Sequence, residues 1–151
     1  MNQPVKPGAV PGPTAVFECL QPIPCNPCAD ACPRGAIAVK DINDCPVLNE
    51  EKCNGCGICM THCPGLSIFV VDVHYAAAEA LVKIPYEFTP LPQQAELVEA
   101  LNRQGECIGL ARVIRVQTSP NKTNIIWLAV PKELAMEVRN LRLRKESDDA
   151  C

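Results

Sequence analysis

Aromatic residues are scarce in this chain: Phe17, Phe69, Tyr75, Tyr86, Phe88 and Trp127 are all that its 151 residues hold. A conventional aromatic core therefore does not hold it together. It has no excess of positive charge either, with 14 Lys and Arg against 17 Asp and Glu and a formal net charge of -3. That balance argues against nucleic acid as a partner, because phosphate binding needs a basic surface from which counterions are released. No apolar run approaches the roughly 20 residues of a membrane span, and Met1 to Thr14 has neither a signal-peptide core nor a basic leader. No membrane span is expected, and the expected location is the cytoplasm. Two histidines, no Ser-His-Asp arrangement, no GxGxxG and no P-loop leave little for acid–base catalysis or nucleotide binding. The chain is too short for separate cofactor and substrate domains, so catalytic machinery is expected on another chain.

What the sequence has in plenty is cysteine, 11 residues, and proline, 15 residues. In a reducing compartment, cysteines at short fixed spacings read as metal ligands or redox groups rather than as a disulfide framework. Met1 to Thr14 carries Pro4, Pro7, Pro11 and Pro13 with Gly8 and Gly12, which rules out regular helix or central strand and predicts an extended arm. Residues 15–75 hold most of the cysteines and are acidic, with Glu18, Asp30, Asp41, Asp44, Glu50, Glu51 and Asp72 against Arg34, Lys40 and Lys52. Residues 76–145 are charge-balanced. That break predicts a second, β-rich domain with strands over Ala80–Ile84, Leu97–Leu101, Cys107–Gln117 and Asn124–Val130. Turns are expected at Asn102–Gly105 and Ser119–Thr123. A helix is expected over Lys132–Asn140, opened by Pro131, with Leu134, Val138 and Leu141 packed on the strands. Residues 146–151 read as a disordered tail.

An internal repeat organises the acidic part. Cys25, Cys28, Cys32, Pro33, Ile37 and Val39 recur 31 positions later as Cys56, Cys59, Cys63, Pro64, Ile68 and Val70, which implies a pseudo-twofold domain. The second copy reads Cys53-x2-Cys56-x2-Cys59-x3-Cys63-Pro64. This is the spacing by which three thiolates grip one [4Fe-4S] cube while the fourth reaches a second cube. Gly55 and Gly57 relax the backbone restrictions of such a loop. Zinc sites, by contrast, are usually met by paired CxxC elements.

The first copy departs from this pattern, because the position equivalent to Cys53 is Pro22, which cannot ligate iron. Cys19 and Cys45 are the candidate replacements. Cys19 follows the apolar run Ala15–Phe17, from which Leu20 to Pro24 can arch over a cube edge. Cys45 lies in a hairpin joining Ala36–Val39 to Val47–Asn49, a turn expected to point away from the cluster loops, so Cys19 is preferred. The remaining alternative is a three-iron cluster on Cys25, Cys28 and Cys63.

Residues 17–73, carrying Cys25, Cys28, Cys32-Pro33, Cys53, Cys56, Cys59 and Cys63-Pro64, resemble the bacterial-type ferredoxin domain with two [4Fe-4S] clusters. The resemblance implies crossed ligation: Cys32, Cys53, Cys56 and Cys59 on one cluster, and Cys25, Cys28 and Cys63 with a replaced ligand, Cys19, on the other. It also implies short helices near Ala29–Cys32 and Ile58–Cys63 between antiparallel strands. The fold class expected is thus α+β, a pseudo-twofold ferredoxin-like domain followed by the small β-rich domain with its C-terminal helix.

The wider layout, with Glu18 to Cys28 ahead of the clusters and a β-rich part behind them, is similar to the small iron–sulfur subunits of FAD-dependent amine and amino-acid dehydrogenases. That likeness implies a non-catalytic electron-transfer subunit in a hetero-oligomer, serving the FAD of a flavoprotein partner. A freely diffusing ferredoxin and a cluster-stabilised structural module are the competing readings. The roughly 75 residues beyond the cluster domain burden a shuttle, and two clusters exceed what a structural staple needs. Elsewhere, His62 reads as a surface imidazole that modulates the nearby potential, His74 as structural or exposed, Cys107 as a small buried strand residue and Cys151 as an inert terminal thiol. Arg139, Arg142, Arg144 and Lys145 read as a solvated basic cluster at the end of the expected helix.

Overall fold

The computed structural model of the chain describes residues 12–19, 24–120 and 122–144. Most of the Pro-rich arm, Pro22 and the arch around it, Lys145, and the tail with Cys151 lie outside the described residues. In chain order the elements are β1 (Thr14–Phe17), α1 (Pro27–Ala31), β2 (Ile37–Ala38), β3 (Val47–Leu48), α2 (Ile58–His62), β4 (Ile68–Asp72), β5 (Glu79–Tyr86), β6 (Leu97–Leu101), β7 (Cys107–Gln117), β8 (Asn124–Pro131) and β9 (Asn140–Leu143). Among the described residues the regular structure is mostly strand, with two short helices, and no helix is long and apolar enough to cross a membrane.

Seven strands form one antiparallel sheet in the order β1-β4-β5-β8-β7-β6-β9, while β2 and β3 form a separate hairpin. The sheet runs unbroken across the composition change near residue 76, because Val70, Val71 and Asp72 of β4 pair with Lys83, Val82 and Leu81 of β5. Thr14, expected at the end of the arm, is the first residue of β1 and pairs with Val71.

The period of two along each strand sends alternate side chains to opposite faces. One face carries Val16, Phe69, Val71, Val82, Ile84, Val98, Val113, Ile126 and Leu128 into a single core closed by Ala135, Val138 and Leu141. From β1, β4 and β8 the other face presents Ala15, Phe17, Ile68, Val70 and Ile125 to a second core, with Cys28, Cys59 and Met60. This explains why β1 and β4 are almost unbroken apolar runs: both of their faces are covered.

Bulges between Ala100 and Leu101 and between Val113 and Arg115 add local bend to β6 and β7. The sheet curls until its two edges meet through side chains. Glu18, just past β1, accepts hydrogen bonds from Arg139 Nε at 2.7 Å, just before β9, and from Arg103 Nε at 3.0 Å, after β6. Arg139 also donates to the carbonyls of Ala135 and Val138, and its guanidinium lies 4.9 Å from the Phe69 ring centroid. Burial pushes the Glu18 carboxyl up, but the hydrogen bonds and charges of the two arginines outweigh it and hold the group below the usual carboxylate range.

The helix expected over Lys132–Asn140 is not there. Lys132–Leu134 form a 3-10 turn, one further turn brings Val138 N–H to the Leu134 carbonyl, and the chain then enters β9 along β6. Leu134, Val138 and Leu141 do face the core as their spacing suggests, but a single turn followed by a strand satisfies that spacing as well as a helix. The basic residues are not one solvated cluster at a helix end either. Arg139 is buried on Glu18, and Arg142 donates from Nε to the buried Glu99 at 2.5 Å. Cys107, expected as a buried apolar residue, is half-buried and disulfide-bonded.

Candidate metal centres

The repeat seen in the sequence extends into local geometry. Helices α1 and α2 start and stop at the same 31-residue offset, and each passes through a cysteine into a turn: Gly35 N–H to the Cys32 carbonyl and Leu66 N–H to the Cys63 carbonyl, both 3.3 Å. Gly35 and Leu66 occupy matching positions with φ of 62° and 52°. From the position just after each turn, matching amides reach matching sulfurs: Ala36 N–H donates to Cys32 Sγ and Ser67 N–H to Cys63 Sγ, each at 3.4 Å. Pro27 opens α1 where its missing N–H costs nothing.

Nine cysteines among the described residues are free thiols, and Cys28, Cys32, Cys53, Cys59 and Cys63 pack in the second core. One cavity is edged by Cys32, Cys53, Cys56 and Cys59, with Ala15, Ile37, Leu48 and Val70 as apolar walls. The other is edged by Cys19, Cys25, Cys28 and Cys63, with Phe17, Pro27, Pro46 and Ile68. Each therefore draws cysteines from both copies of the repeat. Cys19 lies in the cavity that Cys25, Cys28 and Cys63 also edge. Cys45 is near it as well: its charge, with those of Cys63 and Cys25, follows burial among the influences that raise the Cys19 pKa.

The β2–β3 hairpin, expected to point away, is folded back against this loop. Cys25 N–H donates to the Ile42 carbonyl at 3.1 Å, and Asp44 and Pro46, on either side of Cys45, line the cavity. A turn's direction depends on where its strands are anchored, and here Asn49 N–H is tied to the Ala36 carbonyl at 2.7 Å.

The loop Cys53–Cys59 is shaped by backbone that only glycine tolerates well. Gly55 and Gly57 have φ of 70° and 82°. A Cβ on Gly55 would stand 2.5 Å from the Pro13 Cβ and 2.8 Å from its carbonyl oxygen, so the loop lies directly against the chain entering β1. Ala15 N–H from that strand donates to Cys53 Sγ at 3.4 Å. The helix-borne thiols are the deepest. Burial, reinforced by the charges of Cys53 and Cys56, pushes the Cys59 thiol up to about 12, and burial pushes that of Cys28 up to about 11. Such groups become thiolates only in exchange for a cation, since metal binding releases their protons.

This donor set fits an iron–sulfur core better than a lone ion. Among the described residues no three Cys, His, Asp or Glu side chains converge on a single-ion site. Zinc would gather four sulfurs within about 2.3 Å of one point. Amide N–H groups aimed at the sulfurs are among the features that tune a cluster. His62 is exposed, and its Nδ1 lies 3.0 Å from the Ile58 carbonyl of its own helix. His74 is also exposed, its N–H donating to Asp72 at 2.9 Å.

One residue at the site escaped the sequence reading. Lys83, in the middle of β5 and only 5% exposed, donates from Nζ to the Gly55 carbonyl at 2.8 Å. Its ammonium lies 3.9 Å from the Trp127 ring centroid, and Arg115 covers that ring at 5.3 Å. Burial lowers the Lys83 pKa, and the Cys56 thiolate charge opposes that shift. The signal was available: a lysine inside the otherwise apolar run Ala80–Tyr86.

Residues 46–69 match the family of 4Fe-4S binding domains, a span that contains Cys53, Cys56, Cys59 and Cys63. Among known proteins the chain is similar to the aliphatic sulfonate oxidoreductase, polyferredoxin-like subunit, of Pyrococcus furiosus, with 44% identity over 55 residues, 36% of this chain and 31% of that protein. Two uncharacterized ferredoxins of Methanocaldococcus jannaschii are 41% identical over 44 residues and 43% identical over 49 residues, covering 29% and 32% of this chain and 28% of each relative. The chain thus spans less than a third of the length of the relatives it matches. No solved structure matches it. The match and the cysteine geometry together show a 4Fe-4S domain of the ferredoxin type, an electron-transfer module.

Proposed function

We propose that the chain is the electron-transfer iron–sulfur subunit of a multi-subunit oxidoreductase, carrying two [4Fe-4S] clusters that relay electrons to or from a flavin on a partner subunit. Cys19, Cys25, Cys28 and Cys63 hold the first cluster, and Cys32, Cys53, Cys56 and Cys59 hold the second, in a pseudo-twofold arrangement. What supports this reading is the partition of the cysteines into two cavities, each edged by residues of both repeat copies. When bound, such clusters supply one-electron carriers, and two of them side by side suit a two-electron flavin. The chain contributes thiolates, amide donors to sulfur and an apolar surround. The relative from Pyrococcus furiosus, named as an oxidoreductase subunit, favours a subunit over a free shuttle.

The test is purification of the tagged chain from its native host under anaerobic conditions, with analysis of iron, sulfide and flavin. The reading expects about eight iron and eight sulfide per chain by cubane stoichiometry, and a co-purifying flavoprotein. A chain that holds zinc overturns the clusters. A monomer that holds iron but no flavoprotein overturns the subunit and leaves the freely diffusing ferredoxin. Cys19 is tested against Cys45 in the same preparation: Cys19→Ala is expected to lose or convert the first cluster while Cys45→Ala keeps it, and the reverse result reassigns the ligand.

A further inference from the structure

The two cavities are built alike from the repeat but sit in different electrostatic surroundings, and the difference comes from outside the repeat. The loop of the second, Cys53–Cys59, rests on the sheet where β5 brings up Lys83, whose Nζ is 2.8 Å from the Gly55 carbonyl. Gly55 has Pro24 as its repeat counterpart in the first copy, and the described residues lining the first cavity include Asp44 and no cation. Lys83 lies in a row across four strands, Val70, Lys83, Trp127 and Arg115, each paired with the next. Trp127 covers its ammonium, so water screens it poorly. Arg34, which lines the second cavity, is exposed and tied by Nε to the Lys52 carbonyl at 2.5 Å, and solvent screens it.

Resting on the two-cluster reading, we propose that Lys83 is the residue that makes the two clusters unequal: its buried ammonium, held against the Cys53–Cys59 loop, draws electrons onto the second cluster. A fixed positive charge favours the reduced, more negative form of a nearby cluster, and does so most strongly where the effective dielectric is low. Lys83 acts through charge and not as a ligand, so it is a positioning and tuning residue.

The experiment is an anaerobic redox titration of the full chain followed by electron paramagnetic resonance, with iron and sulfide counted for every variant. A Cys56→Ser variant marks which signal belongs to the second cluster. In Lys83→Met the ratio of reduced second to reduced first cluster at a fixed potential is expected to fall roughly tenfold, the size that removing a unit charge about 10 Å away gives at an effective dielectric near 20. Lys83→Gln, which keeps a donor for the Gly55 carbonyl but no charge, is expected to fall alike. Lys83→Arg is expected to hold the wild-type ratio, and Arg34→Gln to change it little.

A wild-type ratio in both neutral variants, at full iron content, overturns the proposal. So does a shift in Lys83→Met that Lys83→Gln lacks, which would make the lysine a loop anchor only. Loss of the second cluster in both neutral variants would move its role from potential to assembly and also overturn it. If the wild type holds a single cluster, the two-cluster reading falls, and Lys83 then stands or falls on whether that cluster's midpoint drops in Lys83→Met.

Discussion

The second cysteine loop gathers three of its four candidate ligands within seven residues, Cys53 to Cys59, whereas the first gathers only Cys25 and Cys28 and needs a thiol from beyond a proline. The contrast teaches where each site gets its rigidity. The second is held from below, by Gly55 against Pro13, by the amide of Ala15 on Cys53, and by Lys83 on the Gly55 carbonyl. The first is held from the side, because Cys19 follows Glu18, and Glu18 is fixed by two arginines that lie 85 and 121 positions away in sequence. The strands beneath the loop support one site; the closure of the sheet's edges supports the other.

The largest effects expected are those that test the crossing itself. Cys63→Ala lies in the second motif yet is expected to remove or convert the first cluster, and Cys32→Ala, in the first motif, is expected to remove the second. Iron content falling by about half on removal, or by about one in eight on conversion to a three-iron cluster, with the opposite cluster's signal retained, is the outcome to look for. If each substitution removes the cluster of its own motif, the ligation is not crossed.

Next in size is the sheet closure. Arg139→Met leaves the Glu18 carboxylate with Arg103 alone and is expected to cost about 3 kcal/mol, the low end for a buried ion pair broken from one side. Denaturant unfolding measures the loss. Oxygen bleaching in the same variant should strike the first cluster before the second, and equal bleaching would separate Cys19 from the closure. Smaller still is Gly55→Ala, which puts a side chain at positive φ against Pro13 and is expected to cost about 2 kcal/mol, with bleaching that favours loss of the second cluster. Together the two variants form a reciprocal pair, and the comparison is sharpest if their bleaching orders are opposite.

Much of the strand layout was legible because the sequence signals agreed with one another. Leu97–Leu101 and Cys107–Gln117 have their expected bounds, since the turn residues Asn102–Gly105 separate two runs of strand-forming residues. The two short helices lie where the resemblance placed them, within a residue or two at each end. The repeat carried over to the amide–sulfur contacts of Ala36 and Ser67, which no spacing rule names. The stretch after Pro131 misled because three apolar residues over one turn do not separate a helix from a turn that leads into a strand. The position of Cys45 was hidden because a hairpin's tilt depends on partners outside it. Glu18 and Arg139 were hidden for a related reason: an ion pair between distant segments leaves no periodicity to read.

The unbroken pairing of β4 with β5 bears on any attempt to transplant the cysteine-bearing part into another protein. Cut after residue 75, that part would keep its cysteines but lose Ile125, Trp127 and Lys83, the surface on which its loops rest. It would also carry β4 as a bare edge of apolar residues, Ile68 to Val71, open to pairing with any other chain. A graft that stays soluble therefore has to bring β5 and β8 with it, so the smallest exchangeable piece of this protein is set by its sheet and not by its cysteine motif.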